Sequence, residues 1–160
     1  MNNPKKRTAY LAGAMEHSSD NGAGWRTEIS NFLIHELNHD VFNPCIEQVK
    51  LFTLNELDNI PVWKSNNIPL FRKAIHKIIR NDINTILNKT DYLICLWDEY
   101  VINGGGTQGE LTIAHYYGIP VYMVNKMPYS QISGWILGCT TETFPSFNEL
   151  KEFLRKKFKL

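Results

Sequence analysis

Glu110 is the residue of this sequence with the clearest potential for chemistry. It follows a glycine-rich segment, residues 103–109 (NGGGTQG), which lies between an apolar strand-like run and a helix-like segment. Ligands of open α/β sheets bind beyond the carboxyl ends of the strands, and glycines let backbone amides approach a ligand closely. We therefore expect Glu110 to place a carboxylate in the first turn of a helix, facing such a crevice.

Glu110 also has a purely structural interpretation. Residues 107–110 (TQGE) match the capping-box pattern, in which the glutamate only returns a hydrogen bond to the N-cap amide. The three glycines before Thr107 favour a ligand site, because a cap needs only one residue of turn. The two roles are partly compatible, since a helix dipole holds a carboxylate at its N-terminus ionised, as a nucleophile requires.

A second acid, Asp82, is predicted to lie on the apolar face of a helix. At about 100° per residue, positions 75, 79, 82 and 86 share one face, and the other three are isoleucines. An unpaired buried carboxylate costs several kcal/mol, so it must find a partner, take up a proton or line a cavity. Two interpretations follow: a carboxylate of a functional site, where perturbed acids cluster, or an N-cap after a helix break near Arg80.

Six further residues are predicted to contact a ligand in the same crevice. They are Tyr10, Gly13 and Met15 around the end of the first strand, Asp98 after the strand that precedes the glycine-rich segment, and Gly106 and Thr107 within that segment. Parallel strands bring their carboxyl ends to one edge of the sheet. Asp98 has an alternative as a solvated acid at a strand end.

Residues 35–39 (HELNH) match the zinc-binding pattern H-E-x-x-H. In that pattern two histidines one helical turn apart hold the metal and the glutamate activates water. The match needs a helix that continues past His39, whereas residues 40–44 (DVFNP) indicate a turn into a strand. A zinc hydrolase is therefore the weakest alternative, and we predict a site without metal or cofactor.

Strand-like and helix-like segments alternate along the chain. Strands are predicted at 8–12, 41–42, 92–97, 121–124 and 135–137, and helices at 25–37, 51–57, from Pro69 onward, at 111–117 and after the capping box of Ser146 and Glu149. This alternation implies a mostly parallel sheet covered by helices on both faces. The length of 160 residues predicts a single α/β domain over residues 1–160.

Composition narrows the classes of partner. The net charge of +1 gives no reason to expect nucleic acid or a membrane surface, and no apolar run approaches the roughly 18–20 residues of a membrane span. The three cysteines lie far apart, without metal-ligand spacing. Their odd number, with no signal peptide, predicts a cytoplasmic protein.

Taken together, these residues give the sequence a resemblance to the nucleoside 2-deoxyribosyltransferase-like family, whose enzymes cleave N-glycosidic bonds. The matching pieces span about residues 8–125. In chain order they are 10–15 (YLAGAM), 25–26 (WR), 43–44 (NP), Asp82, 91–93 (DYL), 106–110 (GTQGE) and 118–121 (GIPV).

The resemblance implies a flavodoxin-like three-layer sandwich that is commonly homodimeric, with a neighbouring subunit completing the site. It implies that Glu110 is the nucleophile at the anomeric carbon of a sugar, and that Asp82 positions the base or assists proton transfer. Tyr10 and Gly13 correspond to the tyrosine and glycine of the family's first strand. The partner would be a nucleoside or a nucleotide.

The sequence also departs from the family's pattern. The transferases carry an aspartate where this chain has Gly104, and Asn103 or Asp98 could substitute for it. Residues 13–16 (GAME) lack the serine and arginine with which relatives that hydrolyse nucleoside monophosphates grip phosphate. Transfer or hydrolysis, and the need for a 5′-phosphate, stay open. So does a non-catalytic module that binds a nucleotide or sugar on the same fold.

Overall fold

The central sheet has five strands, and every neighbouring pair is parallel. In the computed structural model, which describes residues 6–16 and 18–158, the strands are β1 (Thr8–Gly13), β2 (Asp40–Phe42), β3 (Tyr92–Trp97), β4 (Val121–Asn125) and β5 (Glu142–Phe144). Their spatial order is β2-β1-β3-β4-β5, which is the flavodoxin-like order. The predicted fold class is thereby confirmed.

The described residues form seven α-helices. They are α1 (Ala23–His35), α2 (Pro44–Glu47), α3 (Leu54–Asn66), α4 (Ile68–Lys89), α5 (Gly105–Tyr116), α6 (Gly134–Cys139) and α7 (Phe147–Phe158). Buried residues of α1 and α7 pack on one face, and those of α4, α5 and α6 pack on the other. The result is a three-layer sandwich, as predicted.

Strand β1 shows how the alternation of side chains builds both layers. Ala9 and Leu11 belong to the core on the α1 side, whereas Tyr10 and Ala12 belong to the core on the α4 side. All four are buried, because this strand lies inside the sheet with helices on both faces. Tyr10 therefore points toward the layer that contains Asp82 and Glu110.

The topology places a crevice at the carboxyl ends of β1 and β3. These strands are neighbours, with Gly13 opposite Leu96, yet the chain leaves them in opposite directions along the sheet, to β2 and to β4. Such a reversal of strand order is where open α/β sheets bind their ligands.

One expectation about the carboxyl-terminal third is wrong, and one strand there was not predicted. Residues 135–137, predicted as a strand, lie in α6, where the Ser133 hydroxyl accepts a hydrogen bond from the Trp135 amide. The fifth strand is Glu142–Phe144, and its residues are exposed or only half-buried. The apolar run at residues 135–137 therefore belongs to a helix and not to a strand. The edge strand β5 was not predicted, because it carries too few apolar residues to show a strand pattern.

The other predicted elements are found with shifted bounds. The helix predicted at 25–37 is α1, which ends at His35, and the one predicted at 51–57 is the longer α3. Helix α4 has its proline in the first turn, as expected from Pro69. Within the described part of the chain, no helix is both long and apolar enough to cross a membrane.

Candidate active site

A cavity of about 490 Å³ lies at this edge of the sheet, within the range of small-molecule sites. Its apolar wall comes mainly from the isoleucines of α4, together with Val101 and Ile113. Its polar side chains are Glu16, Arg26, Gln48, Asp82, Tyr100, Thr107 and Glu110. The two acids on which the sequence prediction depends are therefore brought together.

Glu110 reaches the cavity from the second turn of α5, not from the first turn. The helix begins at Gly105 with Gly104 as its N-cap, so the glycines form the first turn of the helix instead of a loop before it. The capping-box interpretation of Thr107 is wrong for the same reason. Instead, the Tyr10 hydroxyl donates a hydrogen bond of 2.6 Å to Glu110 Oε1.

The surroundings of Glu110 disfavour its charge. Burial raises the pKa of this carboxyl from 4.5 to about 7, and the negative charge of Asp82 also raises it. The hydrogen bond from Tyr10 and the positive charge of Arg26 act in the opposite direction. The side chain is half-buried, and it borders the cavity. A carboxyl that changes its charge near neutral pH is suited to acid–base or nucleophilic chemistry.

Asp82 lies on the cavity wall in the middle of α4. The helix runs without interruption from Ile68 to Lys89, so the interpretation of Asp82 as an N-cap after a helix break is wrong. Only 5% of Asp82 is exposed. Gln48 Nε2 donates to its Oδ2 at 3.4 Å, and Asn81 Nδ2 donates to its Oδ1 at 3.3 Å.

The two carboxyls interact with each other and with Tyr10. Burial raises the pKa of Asp82, and hydrogen bonds from Asn81 and Gln48 lower it. Because the charge of Asp82 also raises the pKa of Glu110, the two acids titrate as a pair.

The other predicted ligand contacts have different positions. Gly13, Met15, Gly106 and Thr107 border the cavity. Tyr10 is fully buried behind Glu110. Asp98 does not border the cavity: its Oδ1 accepts hydrogen bonds from the backbone amides of the two residues that begin the next turn, at 3.1 and 3.2 Å.

The zinc-binding interpretation of residues 35–39 is contradicted. Helix α1 ends at His35, and Asn38 has a left-handed φ of 55°. His39 is buried in the core, where its Nδ1 forms a hydrogen bond of 2.7 Å with the Tyr92 hydroxyl. Residues 6–16 and 18–158 contain no cluster of three or more histidine, cysteine or acidic residues that could hold a metal ion.

Sequence reasoning missed four polar residues of the site, Glu16, Arg26, Gln48 and Tyr100. Gln48 lies in a short 3₁₀ turn, Gln48–Leu51, which has no regular apolar pattern that would assign its side chain a direction. Arg26 was noticed only as part of the matching pair Trp25-Arg26. Its burial depends on how α1 packs against β1, which the sequence of α1 alone does not show.

Comparison with known proteins supports the fold. No protein-family model matches the sequence, and no curated protein matches it. The structure is similar to that of a 2-deoxyribosyltransferase from the psychrotolerant bacterium Bacillus psychrosaccharolyticus, with a TM-score of 0.61 over 90% of each chain and 15% sequence identity. That protein is described as a biocatalyst for nucleoside synthesis. At this identity the similarity shows a shared fold.

Proposed function

We propose that this protein is an enzyme that cleaves the N-glycosidic bond of a nucleoside, with Glu110 as nucleophile and Asp82 as acid. The carrying observation is that α4 and α5 each bring one carboxyl to the same cavity, where the Tyr10 hydroxyl donates a hydrogen bond to Glu110. The 2-deoxyribosyltransferase with a similar fold supports a nucleoside as the partner.

In the first step, a Glu110 oxygen bonds to the anomeric carbon as the bond from that carbon to the base nitrogen breaks. Positive charge develops on the sugar, and the nearby carboxylate stabilises it and then captures it. Asp82 transfers its proton to the departing base nitrogen. The raised pKa that burial gives Asp82 suits it for this role.

In the second step, an acceptor releases the sugar from Glu110. Water, or a second base, bonds to the anomeric carbon while the ester bond to Glu110 breaks. The proton of the attacking group returns to Asp82, which restores the starting state. Water gives hydrolysis and a second base gives transfer. The chemistry of the first step is the same in both cases.

The charges of the cavity favour a nucleoside without a phosphate. Three acidic side chains border it, Glu16, Asp82 and Glu110, against the single cation Arg26 among its described residues. The guanidinium of Arg26 already donates four hydrogen bonds to backbone carbonyls. Glu16 is paired with Lys64, and Asp82 carries a proton in the proposed mechanism. The ionised Glu110 is therefore the main source of repulsion for an anion. A 5′-phosphate would also find most donors of Arg26 occupied, and we expect nucleosides to react faster than their 5′-monophosphates.

The test is incubation with a panel of nucleosides and their 5′-monophosphates, with the free base quantified by chromatography. Glu110→Gln keeps the size of the side chain and removes the nucleophile, so base release should fall about 1,000-fold or more. Glu142→Gln, at an exposed glutamate of β5, is the matched control and should retain full activity. Base release that survives in Glu110→Gln would refute the nucleophilic role.

A small carboxylate gives a second test of the same role. Glu110→Ala opens space where the nucleophile was, and added formate should restore part of the activity by taking its place. Glu110→Gln should not respond to formate, because the glutamine fills that space. Equal responses of the two variants would contradict the assignment.

A binding module without turnover is the second candidate, and one observation favours it. Gly104 borders the cavity and contributes no acid where the resembling transferases carry an aspartate. Calorimetry with the same panel separates the two functions. Tight binding of a nucleoside with no release of base, even after long incubation, would support the module and exclude the enzyme.

The expected homodimer remains a prediction. Ile46 and Val49 flank the cavity residue Gln48, and Ile79 borders the cavity itself; all three are at least half exposed. Exposed apolar side chains around a site are typical of surfaces that another subunit covers. Light scattering after size exclusion should give twice the 18.5 kDa of the chain, and a monomeric mass would contradict it.

A further inference from the structure

Arg26 is a buried cation in an unusual place. It lies in the first turn of α1, where the helix dipole disfavours positive charge, and only 1% of it is exposed. In the described part of the chain it forms no ion pair with a carboxylate at hydrogen-bond distance. Its guanidinium borders the same cavity as Asp82 and Glu110. We therefore expect Arg26 to have a role beyond stabilising α1.

Backbone carbonyls hold the guanidinium in one position. Its Nε donates to Leu11 O at 3.3 Å and its Nη2 donates to Gly13 O at 2.8 Å, at the end of β1. Its Nη1 donates to Ala14 O at 3.3 Å and to Gly22 O at 2.9 Å. These contacts join the end of β1 to the start of α1, so the side chain spans the connection that walls one side of the cavity.

The neighbouring backbone is shaped around this side chain. Gly22 has a φ of 70°, and a Cβ there would lie 2.2 Å from Arg26 Nη1. On the other side, the Trp25 ring lies 4.6 Å from the guanidinium carbon. The guanidinium therefore has little room to move, and its charge stays fixed relative to the cavity.

We propose that Arg26 is a positioning residue for the reaction at Glu110, which it serves by fixing the β1–α1 connection and by supplying the positive charge of the site. The inference rests on the proposed role of Glu110. The charged and titratable groups that share the site with Arg26 are Glu16 with its partner Lys64, Asp82, Glu110, Tyr10, Cys95 and Tyr100. Its charge lowers the pKa of Glu110 and that of Tyr10, whereas Asp82 raises both.

The first experiment needs no substrate. The carboxyl of Glu110 is followed by ¹³C NMR in a pH titration of the resting protein, with Glu110→Gln to identify its signal. In Arg26→Met the midpoint should move upward by about half a pH unit or more, because the cation is lost. Arg26→Lys keeps the charge and should stay closer to the wild type. Arg72→Met, at an exposed arginine of α4, is the control and should leave the midpoint unchanged.

The second experiment separates the effect of the hydrogen bonds of Arg26 from the effect of its charge. An ammonium cannot reproduce the four hydrogen bonds of the guanidinium, so Arg26→Lys should lower kcat about tenfold or more with little change in KM. A midpoint that does not move in folded Arg26→Met, or a wild-type kcat in Arg26→Lys, would overturn the proposal. If Arg26→Met does not fold, the kcat of Arg26→Lys decides alone. If no nucleoside reacts, the proposed function fails, and the NMR midpoint still decides whether Arg26 sets the charge of Glu110.

Discussion

Replacement of Glu110 by glutamine should stabilise the protein in alkaline solution. Burial and the charge of Asp82 raise the pKa of Glu110 from 4.5 to about 7, so the folded protein resists its ionisation. Each tenfold change in an ionisation constant corresponds to about 1.4 kcal/mol. The ionised carboxylate therefore lowers the free energy of unfolding by at most about 3 kcal/mol, and contact with water in the cavity reduces this value.

The sign of the pH dependence follows from the two pKa values. Near pH 4 the carboxyl is mostly protonated in both the folded and the unfolded chain, and it contributes no difference. As the pH rises from 4.5 to about 7, the unfolded chain releases this proton before the folded protein does, so the wild type loses stability. Glutamine does not titrate. The free energy of unfolding of Glu110→Gln should therefore exceed that of the wild type by a gap that grows over this pH interval and stays constant above it.

Urea unfolding from pH 4 to pH 8.5 measures that gap directly. A gain near 3 kcal/mol would also raise the melting temperature by roughly 6–12 °C in a chain of this length. The Tyr10 hydroxyl can donate to the glutamine oxygen as well, so the bond of 2.6 Å has a substitute. Glu142→Gln is the control and should show no pH-dependent gap. A constant gap between Glu110→Gln and wild type at all pH values would refute the reasoning, because Glu110 would then ionise equally in both states.

Three further predictions concern the same site. The kcat/KM for a nucleoside should rise as the pH approaches about 7, because Glu110 must be ionised to act as the nucleophile, and it should fall again at higher pH, where Asp82 loses its proton. Asp82→Asn should lack this alkaline limb, and a wild-type profile without the limb would contradict a protonated Asp82. Tyr10→Phe removes the donor to Glu110, and steady-state kinetics should give a kcat lower by about 10- to 100-fold. A wild-type kcat in that variant would count against a role for the hydroxyl. Gly22→Ala should lower the free energy of unfolding by about 1–3 kcal/mol, measured in urea, since φ is 70° and a Cβ would collide with the buried guanidinium. Gly138→Ala, where a Cβ meets nothing within 4 Å, is the control, and equal effects would contradict the role of strain.

The parts of the fold that the sequence predicted well are those with strong local patterns. The run at Tyr92–Trp97 is apolar throughout because β3 is buried on both faces, and its bounds were predicted correctly. Asp82 stood out because it interrupts an isoleucine stripe, and α4 does bury it. In both cases the apolar pattern is visible within a few consecutive residues or helical turns.

The features that were mispredicted depend on contacts between distant segments or on weak local preferences. The start of α5 was missed because glycine disfavours helix, although here the tertiary structure holds two glycines in its first turn. The direction of Gln48 depends on how its turn packs against α4. Three of the four hydrogen bonds of Arg26 go to carbonyls in or just after β1, which are twelve or more residues away along the chain. These contacts cannot be recognised from any short stretch of the sequence.

A single substitution at Gly104, the N-cap of α5, could change the chemical groups of the site. Gly104 has a φ of −107° and a ψ of 122°, which any residue adopts, and a Cβ there would meet only a carbonyl oxygen at 3.8 Å. A helix that starts on glycine forgoes the side-chain cap that aspartate would provide. Position 104 is thus sterically free to acquire an acid that would cap α5 and border the cavity at once. Evolution, or an engineer, could add a further carboxylate here without rebuilding the backbone.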